Sequence, residues 1–145
     1  MVSVPQPDPV PEGVDPVLHL TVRAGLHAPS IARAFIRCAV ELLGASASED
    51  VLLLTSEAVT NSVVHASTES VGVSLWRSEG HVHVSVTDND PVEPQIQPDD
   101  PTRAGGFGVR LIDMLADDWG VARIGDDGKC VWFEVPVSGE LAAVP

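Results

Sequence analysis

In the run Asp50-Val-Leu-Leu-Leu-Thr-Ser-Glu-Ala-Val-Thr-Asn-Ser-Val-Val-His-Ala, the polar residues Glu57, Asn61 and His65 recur at a spacing of four. At about 100° per residue, a helix would carry them on one side and Leu52, Val59, Val63 and Ala66 on the other. Leu54 falls one turn before Glu57 on the polar side, which predicts a partly enclosed row rather than a plainly solvated one. A carboxylate and a carboxamide one turn apart can share a ligand. The amide oxygen of Asn61 is a hard donor suited to Mg2+, an ion that keeps several waters and takes few protein ligands. The carboxylate of Glu57 can accept a proton from a hydroxyl or water beside a phosphate. The same spacing also suits an ordinary polar helix face, and His65 by itself reads first as a boundary residue.

A second constellation, Arg103-Ala-Gly105-Gly106-Phe107-Gly108-Val109-Arg110, puts glycines at a helix start. Bare backbone can approach a phosphate there, and the first unpaired amides and the helix dipole point toward it. Arg103 and Arg110 flank the turn in a chain that holds only 8 basic residues. A simple loop-to-helix junction would show the same pattern. A dinucleotide-binding βαβ turn is excluded by order, because these glycines follow a proline-bearing segment rather than a strand; a P-loop is excluded because no Gly-Lys-Ser/Thr follows. Asp88 ends the alternating run Val82-His-Val-Ser-Val-Thr-Asp88, where a buried carboxylate could accept a hydrogen bond from a base amine. Asp88-Asn89-Asp90-Pro91 would equally form a turn. His81 and His83 share a face of that strand with no third ligand evident, which argues against zinc.

These groups need a scaffold, and hydropathy patterning predicts one. Val17 to Arg23 alternates as a strand. Ile31 to Leu43 follows Pro29-Ser30 with helical periodicity and ends at Gly44, and Ser48-Glu49-Asp50 opens a second helix reaching about Ala66. Strands are predicted over Val71–Arg77 and His81–Asp88, joined by a turn at Ser78-Glu79-Gly80. From Asn89 to Ala104 the chain carries four prolines and several acids. A loop of that length in a small domain is more often a lid than a mere connection. A helix over Gly108 to Leu115 and strands over Trp119–Ile124 and Cys130–Val137 complete the order β-α-α-β-β-loop-α-β-β. The fold class expected is α+β: a two-layer sandwich with a mixed, mainly antiparallel sheet and helices on one face. Residues 1–14 and 139–145 read as flexible tails around one domain at 15–138.

Composition limits the partners. A hydrophobic fraction of 44% over 145 residues supports one globular core. The net charge of −13, from 8 basic against 21 acidic residues, argues against a nucleic-acid partner. An acidic chain that binds a polyanion must concentrate its few cations or use backbone amides and a divalent ion. Cys38 and Cys130 lie far apart without CxxC spacing, so two thiols in a reducing compartment are expected rather than a disulfide. The N-terminal residues lack the basic and apolar regions of a signal peptide. No stretch approaches the roughly 18 consecutive apolar residues of a membrane span. A soluble, cytoplasmic protein is expected.

Taken in order along the chain, these features resemble the GHKL (Bergerat-fold) ATPases. Thr55-Ser-Glu-Ala-Val-Thr-Asn-Ser-Val-Val-His65 is similar to their Asn-box helix, Asp88 to their adenine-binding aspartate, and Gly105-Gly-Phe-Gly-Val-Arg-Leu-Ile-Asp to the glycine box after their ATP lid. Trp119-Gly-Val and Gly128-Lys-Cys-Val-Trp-Phe-Glu134 look like the small actinobacterial-type branch related to anti-sigma-factor serine/threonine kinases. The resemblance implies ATP and Mg2+ as cofactors, with Glu57 as general base, Asn61 as the Mg2+ ligand and Asp88 on adenine. It implies phosphate contacts around Arg103, Gly105, Gly106, Phe107, Gly108 and Val109, further nucleotide contacts at His65 and Cys130, and a short lid over 91–104. The activity implied is transfer of the ATP γ-phosphate to a Ser or Thr of a protein antagonist. The partners implied are that antagonist and a sigma factor, with pairing as a homodimer common in the class. The alternative is a non-catalytic nucleotide-binding or partner-sequestering regulator of transcription. Two departures favour that alternative: Asp88-Asn-Asp90-Pro91 lacks the glycine of the usual Asp-x-Gly, and Cys130 stands where Thr is common.

Overall fold

The computed structural model describes residues 17–65, 68–78, 80–89, 106–126 and 128–136, the side chains of 65 and 106–109 excepted. The chain runs β1 (Leu18–Arg23), α1 (Ala28–Leu42), α2 (Glu49–His65), β2 (Ser70–Ser78), β3 (His81–Asp88), α3 (Gly106–Leu115), β4 (Asp118–Ile124) and β5 (Gly128–Pro136). Local chemistry sets the helix ends. Pro29 sits in the first turn of α1, where its missing N–H costs nothing. Gly44, at a φ of +83°, closes α1 with the amides of Gly44 and Ala45 donating to the carbonyls of Glu41 and Val40. That left-handed closure favours glycine. Ser48 starts α2: its Oγ accepts the Val51 amide at 3.1 Å, and Glu49 and Asp50 lie in the first turn where the helix dipole favours acids.

The strands form one sheet in the order β1-β2-β3-β5-β4. Each of the four described pairings is antiparallel, so the parallel component of the expected mixed sheet has no counterpart among the described residues. The α+β class and the helical layer are as expected. Alternation sorts the side chains. Val71, Val73, Leu75, Val84, Val86, Val131 and Phe133 face the helices and are buried with Ala32, Ile36, Val40, Leu54, Val59 and Ile112. The other face carries Ser74, Trp76, His83, Ser85, Cys130, Trp132 and Glu134. On it the rings of Trp76 and His83 stack at 3.8 Å, and those of His83 and Trp132 at 5.2 Å. A Cβ at Gly120 would come within 2.8 Å of the Trp132 indole, so glycine is what lets that ring lie flat on β4.

Several element starts differ from the sequence reading, among them α1 at Ala28 rather than Ile31, and two of the shifts bear on the site. α3 begins at Gly106 rather than Gly108, and β5 at Gly128 rather than Cys130. The second shift comes from pairing: Asp88 lies opposite Lys129, which carries β5 to the end of β3. A Cβ on Gly128 would meet the Asp88 carbonyl oxygen at 2.6 Å, so this approach needs a glycine. No helix among the described residues is long and apolar enough to cross a membrane.

Candidate functional site

Helix α2 packs between α1 and α3, with its inner side on β2, β3 and β5. That position explains its composition. Val51, Leu54, Ala58 and Val59 are buried, and the buried Thr55 returns its hydroxyl to the Val51 carbonyl at 2.7 Å. Leu54 is fully buried, so the polar row next to it lies at an enclosed margin rather than on an open face. Glu57 and Asn61 lie on this row, one turn apart and partly buried. Burial raises the Glu57 pKa, because desolvation penalises the carboxylate. One residue before Glu57, Ser56 accepts a hydrogen bond from Arg33 Nη1 at 2.9 Å, which ties α1 to this part of α2.

Asp88 reaches the same helix from the end of β3. Its side chain is 1% exposed, and both oxygens are engaged. Ser62 Oγ, on α2 next to Asn61, donates to Oδ2 at 2.7 Å. Lys129 Nζ, on β5, donates to Oδ1 at 3.0 Å with its own side chain 9% exposed. Removing one partner of a buried ion pair costs on the order of 3–5 kcal/mol, since the other charge is left uncompensated. The carboxylate is therefore locked to two elements.

α3 packs against α2 and opens with Gly106, Phe107, Gly108 and Val109 in its first turn. The first amides of a helix have no partner within it, so this turn can present N–H groups to an anion. His65 is the last residue of α2. Arg103, Gly105 and the lid expected over 91–104 lie outside the described residues. The structure thus brings Glu57, Asn61 and Asp88 to one region of α2, and α3 packs on the same helix.

Cys130 lies on the opposite face of β5 from Lys129. Successive residues of β5 point to opposite faces. Lys129 faces the helices and meets Asp88, while Cys130, opposite Thr87 in the register, faces the far side of the sheet near Ser85. Burial pushes its thiol up to about 12. Lys129 and Ser62 both reach Asp88, and neither stands out in the sequence. For Lys129 a signal existed: it is in phase with Val131, Phe133 and Val135, an apolar row that faces the core. Both cysteines are free, Cys38 exposed and Cys130 buried. No group of three or more His, Cys, Asp or Glu able to hold a metal occurs among the described residues.

Comparison with known proteins bears on the fold and the family. No curated protein sequence matches the chain. Among solved structures it is similar to the RsbU and RsbW domains of Rv1364c from Mycobacterium tuberculosis, with a TM-score of 0.63 and 23% identity. The match covers 84% of this chain and 32% of that one, so the likeness is one of fold and this chain spans about a third of the other's length. The family described as the histidine kinase-like ATPase domain matches residues 22–135, which include the Glu57–Asn61 row, Asp88 and the start of α3. The chain belongs to the histidine kinase-like ATPase domain family.

Proposed function

We propose that the chain binds Mg-ATP in the region bounded by α2, Asp88 and the start of α3, and that it acts as a regulatory protein kinase of the anti-sigma-factor type. The observation that carries the reading is the Glu57–Asn61 pair: a partly buried carboxylate of raised pKa one turn from a carboxamide, on a helix packed against α3, whose first turn is glycine-led. Those residues fit the polyphosphate end of the ligand. Asn61 would hold Mg2+ through its amide oxygen, an ion that needs few protein ligands and takes the rest from phosphate and water. The amides at Gly106 to Val109 would face phosphate oxygens. ATP, when bound, supplies the phosphoryl group. Glu57 would accept the proton of the attacking Ser or Thr hydroxyl. The likeness to a structure with an RsbW domain supports a small antagonist protein as phosphoacceptor and a sigma factor as second partner.

Incubation with labelled ATP and a cognate antagonist should move label to a Ser or Thr of that protein. Glu57→Ala should slow the transfer by about a hundredfold or more, the usual worth of a positioned base. Unchanged transfer in that variant would remove Glu57 from the role.

A second reading, a nucleotide-responsive regulator that sequesters its partner without phosphorylating it, draws support from Asp88. Its carboxylate is already satisfied by Ser62 and Lys129. Retention of a sigma factor with no phosphoacceptor found would favour this reading.

A further inference from the structure

The base end of the site differs from the phosphate end. A carboxylate that recognises an exocyclic amine must have acceptor capacity turned toward the ligand. In this chain both Asp88 oxygens already accept a hydrogen bond, from Ser62 Oγ at 2.7 Å and Lys129 Nζ at 3.0 Å, and the side chain is only 1% exposed, so little of its remaining acceptor capacity is turned outward. The two donors are unequal. An ammonium makes a charge-assisted bond, roughly twice as strong as one from a neutral donor. A neutral base amine therefore cannot displace Lys129 without loss unless the ammonium regains water. Lys129 is 9% exposed, and its backbone is fixed by the close approach of Gly128 to the Asp88 carbonyl oxygen. It lies in phase with Val131 and Phe133, on the side of β5 that faces the helices.

We propose that Lys129 is a specificity-determining residue: at Asp88 its ammonium occupies the donor position that the 6-amino group of adenine would take, so the site binds purine nucleoside triphosphates with little regard to that amine. This rests on the nucleotide reading above. Phosphate and Mg2+ contacts then carry most of the affinity, and the base contributes through shape.

The native chain is titrated in a calorimeter with the Mg2+ complexes of adenosine triphosphate and purine riboside triphosphate, which differ only in the 6-amino group. Affinities within about threefold of each other are expected, whereas a free carboxylate would discriminate by about tenfold or more. Lys129→Thr, which frees the carboxylate, should bind Mg-ATP about tenfold more tightly than the native chain and leave the analogue unchanged. Lys129→Gln, of nearly the same length, should move the same way by a smaller factor. The variants should also melt lower than the native chain without nucleotide and recover with saturating Mg-ATP. A native preference for ATP of tenfold or more, or an ATP affinity unchanged by both substitutions, would overturn the inference while leaving nucleotide binding intact. Absence of saturable heat from every nucleotide in every protein would overturn the nucleotide reading, and this inference with it.

Discussion

The carboxylate of Glu57 lies one turn from Asn61 with burial raising its pKa, which makes it a stronger proton acceptor than an ordinary surface glutamate. Two neighbouring positions on β5 show how finely residue identity is divided by alternation. Lys129 reaches Asp88, whereas Cys130 lies behind the sheet with its thiol pushed up to about 12 by burial. The thiolate is the reactive form, so burial protects Cys130 twice, by access and by ionisation. A maleimide or disulfide reagent at about pH 8 should modify the exposed Cys38 in the native chain and reach Cys130 only after unfolding. Rapid modification of both native thiols would contradict this placement.

At the scale of elements, α2 and the back of the sheet are held by different means. α2 is buried on most sides, so hydrophobic contact with α1, α3 and the sheet fixes its rotation and with it the direction of Glu57 and Asn61. The back of the sheet relies on the Trp76–His83–Trp132 stack, with His83 Nδ1 3.1 Å from Glu134 Oε1. Desolvation lowers the His83 pKa despite the opposing pull of Glu134. The unfolded chain therefore takes up a proton at higher pH than the folded one. Stability from this group is complete above the ordinary histidine value and is lost as pH falls through it toward the folded value. The melting temperature should decline between about pH 7.5 and 5.5. His83→Phe, which keeps the stack, should reduce that decline. His19, also lowered by burial, adds to it in the same direction and leaves a remainder. An identical pH profile in the variant would exclude His83 as a source.

For the whole molecule, an excess of 21 acids over 8 bases leaves little charge to attract a polyanion, so the proposed nucleotide binding would have to draw on Mg2+ and backbone amides. Much of this was legible in the sequence. The periods of 2.0 and 3.6 located the strands and helices, because most elements bury one face against the same core. The row of Glu57 and Asn61 was visible for the same reason. What stayed hidden depends on pairing between distant strands. Only the register of β3 on β5 sets Lys129 against Asp88 and turns Cys130 away, and a lysine beside a turn reads in isolation as a solvated end. Ser62 was masked by its neighbour Asn61, since a single serine on a helix carries no signal until Asp88 is known to face it. Calorimetry of Mg-ATP binding to the native chain and to Asn61→Ala, with and without Mg2+, tests the central claim most directly. Saturable binding that needs Mg2+ and weakens by about tenfold or more in the variant is the predicted result. Equal affinity whether or not Asn61 and Mg2+ are present, or no saturable binding by either the native chain or Lys129→Thr, would contradict it.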